Sequence, residues 1–260
     1  MNLLNHELIS IMYAFLGGVI PAIVWLLFWN KEKKDNPEPK RAIILTFLGG
    51  MIAVFASLIL EKICYSINPD TIFHGVFFQA ILTWFKNIAT QSNNPLNKIL
   101  LVIIFAPIIE EILKFITAYI LVLRGKDDRD PIDPMIYMIT TALGFAAIEN
   151  MLFLIDPISH GDLITSVLTG NIRFIGAMLL HTVSSATIGI FISFNFFDTW
   201  LEKAFWTIVG VISAILIHAF FNFFMVVNSD YFVVLEVIWI VVIIILLAFE
   251  KIKRVRLEKI

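Results

Sequence analysis

Glu110, Glu111 and Lys114 stand within about one turn of an apolar stretch. Further polar groups recur in the apolar stretches that follow: Glu149 with Asn150, Arg173 ahead of His181, and His218 with Asn222. Two imidazoles, several carboxylates, an ammonium and an amide suit the activation of water at a carbonyl. A partly desolvated carboxylate can act as general base, and an imidazole or amide can donate to a tetrahedral oxyanion. Other protease templates are missing. His6-Glu7 lacks the second His of an H-E-x-x-H motif, no G-x-S-x-G surrounds a membrane serine, and no Asp lies deep in an apolar stretch. Ligation of a metal by Glu149, His181 and His218 stays chemically open, with zinc as the suitable ion. No other cofactor is expected.

Those residues need a lipid-embedded frame. The chain has 260 residues, 59% hydrophobic and 15% charged, with a mean hydropathy of +0.89. Soluble domains run closer to half apolar and a quarter charged, so a soluble enzyme, a disordered regulator and a disulfide scaffold are excluded. A net charge of -2 argues against nucleic acid as a partner. The single Cys64 makes no intrachain disulfide. The first ten residues hold no Lys or Arg, so the apolar run after them reads as a spanning helix rather than a cleaved signal. The expected architecture is all-α: one integral membrane domain over 1–260.

Seven stretches are long enough to span, at about 8–29, 42–61, 99–123, 135–155, 172–197, 204–227 and 231–249. Charged or Pro/Gly loops are expected at Asn30–Arg41, Arg124–Pro134 and Asp156–Gly170. The piece 71–90 has a short apolar core broken by His74, Gln79, Thr83 and Lys86, and reads as a surface-lying amphipathic helix, a lid or substrate guide on the outer face. With that piece not crossing, the basic residues of the loops and C-terminus fall on one side. Lys62, Lys86, Lys98 and Arg173 stay on the other. The positive-inside rule then places the N-terminus out and the C-terminus in.

At a rise of about 1.5 Å per residue across a core about 30 Å thick, Glu110 lies about 16 Å and His181 about 14 Å below the outer surface, with Glu149 and His218 roughly 9 Å below it. Each residue has a plainer structural reading when taken singly. A lone membrane His can be an interhelical hydrogen bond, Glu110 and Lys114 can be an ion pair within one helix, and Asn150 and Asn222 can join helices. Ser184, Ser185, Gly189 and Ser213 read as small packing residues, Arg173 as snorkelling outward, and Glu61, Lys62 and Glu236 as interfacial. The Trp residues mostly fall near span ends, as an aromatic belt would. A shared depth on four consecutive spans is what these readings fail to explain. Charges inside a bilayer are costly and mark function.

The segments EEILK (110–114), GFAAIEN (144–150), RFIGAMLLHTVSSATIG (173–189) and HAFFN (218–222), in that order and each on an expected span, resemble the PrsW family of intramembrane proteases. That family is related to the CAAX prenyl-endopeptidase and bacteriocin-immunity superfamily. The resemblance covers about residues 100–225. It implies that Glu110 activates water, that Glu111 supports the pair, and that Lys114 is the basic residue following it. It implies His181 as a further site residue, and His218 and Asn222 as an H-x-x-x-N pair binding the oxyanion. Where the wider superfamily has F-x-x-x-H, Phe145 is followed at that spacing by Glu149, as in PrsW-like proteins. The resemblance also implies regulated proteolysis of a membrane-anchored protein, typically an anti-sigma factor cut from outside.

The expected function is therefore an intramembrane endopeptidase of glutamic type, with catalytic residues Glu110, Glu111, Glu149, His181, His218 and Asn222, supported by Lys114, Asn150 and Arg173. An ion- or proton-coupled transporter is one rival, but it calls for polar groups through the whole depth and for internal repeats or broken helices. A non-catalytic immunity or scaffold protein of the same fold is the other. The orientation has a direct test. A reporter fused after Ile260 should be active only on the cytoplasmic side, and activity outside the cell would overturn the topology and the depths that follow from it.

Overall fold

The computed structural model describes residues 3–31, 38–66, 96–125, 130–227 and 231–258. The expected helix at 71–90 lies outside these residues, as do Lys33, Lys34, Lys126 and Arg129. Among the described residues all regular structure is helical. It forms seven runs: α1 (Leu3–Lys31), α2 (Lys40–Ser66), α3 (Leu96–Ala118, continued by a π-helical turn at Tyr119–Leu123), α4 (Asp133–Ser159), α5 (Leu163–Phe194, with a π-helical turn at Arg173–Ala177), α6 (Trp200–Val227) and α7 (Tyr231–Glu258). Six of them are long and apolar enough to cross a membrane. The seventh, α3, carries Glu110, Glu111 and Lys114 in its second half. The all-α polytopic bundle expected from hydropathy is the architecture found.

One expected loop is mostly helix. The stretch Asp156–Gly170 was marked by Pro157, Gly161 and Gly170, yet α4 continues to Ser159 and α5 starts at Leu163. Only Gly161 turns the chain, at φ 69°, a left-handed conformation that glycine adopts without strain. Asp162 then caps α5, accepting from the Thr165 backbone N–H at 2.9 Å and its hydroxyl at 2.6 Å. Those bonds hold the Asp162 carboxyl below the usual carboxylate range. Pro157 and Gly170 sit inside helices, where the sequence had suggested punctuation.

The bundle is built around α4. Every residue from Pro131 to Ile148 is buried, and α1, α2 and α5 pack along it. Its buried threonine hydroxyls are satisfied within the helix: Thr140 donates to the Ile136 carbonyl at 2.8 Å and Thr141 to that of Tyr137 at 2.9 Å. The faces that α1, α2, α6 and α7 turn outward are apolar, with Leu8, Ile52, Leu216 and Ile244 more than half exposed. That surface matches a lipid solvent rather than water. Trp29 departs from the expected belt. It is 1% exposed and packs on Phe28 and on Phe249 of α7, because its end of α1 lies against the bundle.

Glycines set how closely α2 approaches α4. A Cβ on Gly144 would collide with the Phe47 carbonyl, and one on Gly50 with the Thr141 carbonyl and the Phe145 nitrogen. Backbone stands on both sides of this contact, so neither helix can yield by rotating a side chain. Small residues at such crossings are the usual device of membrane bundles. Gly144→Leu should lower stability by about 1–3 kcal/mol or more, the range for overpacking. Thermal unfolding in detergent against an exposed control such as Ile52→Leu would measure it, and equal melting temperatures would refute the close-approach argument.

Candidate active site

Two carboxylates stand side by side on α3 and face different surroundings, because successive helical residues are about 100° apart. Glu111 points into the protein and is fully buried. Its Oε1 accepts from Lys114 Nζ at 2.7 Å, Ser184 Oγ at 2.8 Å and His218 Nδ1 at 2.8 Å, and its Oε2 accepts from Ser185 Oγ at 3.1 Å. A carboxylate offers about four lone-pair sites, and Glu111 receives four donors, three on Oε1 and one on Oε2. Lys114 is itself fully buried. It reaches His181 Nδ1 at 2.9 Å, stands 3.8 Å from Glu110 Oε2, and lies 4.7 Å from the centre of the Phe145 ring.

Glu149 on α4 plays the matching part for the other imidazole. Its Oε2 receives His181 Nε2 at 2.8 Å and an Arg173 terminal nitrogen at 2.7 Å. Arg173 Nε also donates to Asn150 Oδ1 at 2.6 Å, and its guanidinium lies 3.7 Å from the centre of the Phe153 ring. Arg173 opens the π-helical turn in α5, a deformation common at functional sites. The outward snorkelling expected of Arg173 is thus not found: two acceptors on α4 and an aromatic face hold it inward.

Glu110 faces a cavity of about 680 Å³. Glu61, Glu149, Arg173, His181, His218 and Asn222 line it, among apolar residues including Leu58, Ile103, Leu180 and Phe221. Of the expected site residues, Glu110, Glu149, Arg173, His181, His218 and Asn222 meet at this wall. Glu111, Lys114 and Asn150 lie behind it as partners. Two features escaped the sequence reading. Ser184 and Ser185 are donors to Glu111 rather than inert packing residues, and Ser184, three residues after His181, shares its helix face. Glu61, near the end of the candidate span Lys40–Ile63, also lines the cavity.

The hydrogen bonds fix what each imidazole presents to Glu110. Carboxylates only accept, so the His218 Nδ1 and His181 Nε2 bonded to them carry the protons. The opposite nitrogens carry the lone pairs: His218 Nε2 stands 4.0 Å from Glu110 Oε2, and His181 Nδ1 stands 3.8 Å from it while accepting from Lys114 Nζ at 2.9 Å. That oxygen is buried, and among the described residues no hydrogen bond reaches it. Ligand atoms of Glu110, His181 and His218 lie within 4.8 Å of one another. All three are ligand types for a divalent cation, each imidazole oriented by a carboxylate behind it, and a cation there would take the place of the Lys114 ammonium at His181 Nδ1. Here Glu110 joins the two His residues, while Glu149 is engaged by Arg173 and His181. The donor set thus differs from the Glu149, His181 and His218 expected from sequence.

The chain matches the family model of PrsW family intramembrane metalloproteases over residues 38–249. It is 21% identical over 229 residues to Protease PrsW of Clostridioides difficile (strain 630), covering 88% of this chain and 85% of that protein. It is 22% identical over 222 residues to Protease PrsW of Bacillus subtilis (strain 168), covering 85% and 86%. To Protease PrsW of Geobacillus kaustophilus (strain HTA426) it is 23% identical over 139 residues, covering 54% and 51%. The family match runs from before α2 into α7, wider than the motifs at 100–225. No solved structure matches the chain.

The buried pair gives a stability prediction. Lys114→Met strands the Glu111 charge and should cost about 3–5 kcal/mol, whereas removing both charges together is often near neutral. The double variant Glu111→Gln/Lys114→Met should therefore recover most of the loss in a detergent unfolding experiment. Additive losses would show that the two charges do not act as a pair.

Proposed function

This chain belongs to the PrsW family of intramembrane metalloproteases, and we propose that it is an endopeptidase cutting a membrane-anchored protein near the outer face of a prokaryotic cell membrane. The proposed substrate is a single-span protein of the anti-sigma type. The observation that carries the reading is the convergence of Glu110, His181 and His218 on one point of a largely apolar cavity. Water is needed only where those lone pairs meet, and the apolar walls suit a substrate segment drawn from lipid.

In this reading a substrate peptide lies in the cavity with its carbonyl beside Glu110. Glu111 and Glu149 hold the two imidazoles in fixed tautomers. The Asn222 amide, half-buried on the wall, donates to the oxyanion as the carbonyl becomes tetrahedral. That task suits Asn222 better than His218, whose Nε2 offers a lone pair while the ring is neutral. Arg173 and Asn150 keep Glu149 in place. Glu110, His181 and His218 are the residues that would hold a metal ion. Such an ion supplies an acidified water and a Lewis acid for the carbonyl.

A second reading rests on Lys114, whose ammonium already puts a positive charge beside Glu110 and His181. In that glutamic mechanism Glu110 takes the proton of the attacking water and returns it to the departing amine.

Purified protein in detergent with a single-span substrate tests the function. Glu110→Gln should abolish cleavage while leaving the protein folded, and Asn222→Ala should slow it by about a hundredfold to a thousandfold, as loss of an oxyanion donor does. Wild-type rates from Glu110→Gln would remove Glu110 from the chemistry. Loss of activity on chelation and its return with zinc would select the metal reading. Full activity in chelator would select the glutamic one.

A further inference from the structure

Among the described residues, four carboxylates stand on or behind the cavity wall against two cations, Lys114 and Arg173. Arg173 is spent on Glu149 and Asn150, and Lys114 on Glu111 and His181. Glu110 is 7% exposed, and its Oε2, without a hydrogen-bond donor among the described residues, faces the point where the imidazole lone pairs meet. Glu61 remains. It stands on α2 one turn after Leu58, half-buried, with both residues lining the cavity. Among the described residues nothing donates a hydrogen bond to it and no cation pairs with it.

A carboxylate half withdrawn from water in a membrane protein is costly without a counter-charge. Arg173, the cation on the cavity wall among the described residues, is already committed, so a substrate that enters the cavity can bring the charge that answers Glu61. An apolar segment or a lipid tail brings none. A metal ion is poorly served by a single carboxylate at this place, since the other ligand-type groups converge on Glu110 instead. A lysine or arginine side chain fits: its aliphatic stem can cross the apolar wall near Leu58 and Leu152 while its head reaches the carboxylate.

We propose that Glu61 is a specificity-determining residue, pairing with a lysine or arginine of the substrate segment close to the bond that is cut. This deepens the protease reading above and rests on it for the identity of the ligand as a polypeptide. It assigns Glu61 no part in the bond-breaking step.

The test separates binding from cleavage. Single-span peptides carrying Lys, Gln or Glu, scanned through successive positions at one end of the span, are bound to the Glu110→Gln protein in detergent and followed by fluorescence anisotropy. At one or two positions Lys should bind roughly tenfold to a hundredfold tighter than Glu, the scale of a desolvated charge pair. Adding Glu61→Gln should collapse that ratio towards one, and Glu61→Lys should invert it. Should Glu61→Lys fail to fold, the near-isosteric Glu61→Gln carries the test by itself. Equal binding of the Lys and Glu peptides at every position overturns the proposal, as does a ratio that survives Glu61→Gln. The same peptides are then offered to the protein with Glu110 intact. A charge preference in binding without any cleavage would sustain the Glu61 contact and sink the protease reading. Cleavage indifferent to charge, together with indifferent binding, would do the reverse.

Discussion

The arrangement depends on burying one negative charge. Glu111 can sit at zero exposure only because its lone pairs are met by Lys114, His218, Ser184 and Ser185. Those donors come from α3 itself, α5 and α6, so a single carboxylate ties three helices at one level. Partial satisfaction would be worse than an apolar core, since each stranded polar atom in a low-dielectric interior costs its full desolvation. The network must therefore form completely or not at all. This requirement fixes the rotation of α3 about its axis, and with it the direction of Glu110.

What Glu111 does for His218, Glu149 does for His181, and the two imidazoles meet edge to face with centroids 5.2 Å apart. Each ring has a carboxylate on one nitrogen and its other nitrogen towards Glu110. The supports differ in kind. Glu111 is neutralised by a buried ammonium on its own helix, whereas Glu149 is held by Arg173 from the π-helical turn of α5. Regular α-helical geometry there would shift the register of every later residue of α5 against α4. The extra residue in the turn lets Arg173 and His181 reach the same Glu149 oxygen from one helix. α4 can carry Glu149 and Asn150 accurately because the eighteen residues from Pro131 to Ile148 before them are enclosed by neighbours.

Much of this was legible in the sequence, for a physical reason. Length and apolarity mark a helix that must satisfy its own backbone in lipid, so the helical runs could be placed closely. An ionisable residue in such a run carries an energetic cost that makes it conspicuous, so Glu110, Glu149, His181 and His218 stood out as a group. Other features depend on neighbours and leave no such trace. Ser184 and Ser185 are ordinary packing residues until a carboxylate from α3 comes to lie over them. Arg173 looked free to snorkel because its partners, Glu149 and Asn150, are on another helix. The place of Glu61 on the cavity wall depends on α3, α4 and α5, which its own segment does not reveal. The stretch Asp156–Gly170 misled for the opposite reason: its proline and glycines are strong local signals, but only Gly161 has a backbone conformation that requires one.

The adjacency of Glu110 and Glu111 follows from the same geometry. A helix offers two neighbouring residues directions about 100° apart. A site wall and the interior behind it are related by roughly that angle when the helix sits at the boundary between them. One carboxylate can then face the cavity while the next anchors the helices that bring the imidazoles. Placing them three or four residues apart would put both on one face. Both charges of the pair would then face the cavity, and His218 would lose the acceptor that fixes its ring. Lys114 completes the device, since at positions three and four beyond the pair its ammonium stands 2.7 Å from Glu111 and 3.8 Å from Glu110. A single cation thus offsets the buried charge directly while lying close enough to influence the exposed one. The pair is in this sense one structural unit with two outlets: the inner carboxylate sets the geometry, and the outer one is left with a lone pair to use.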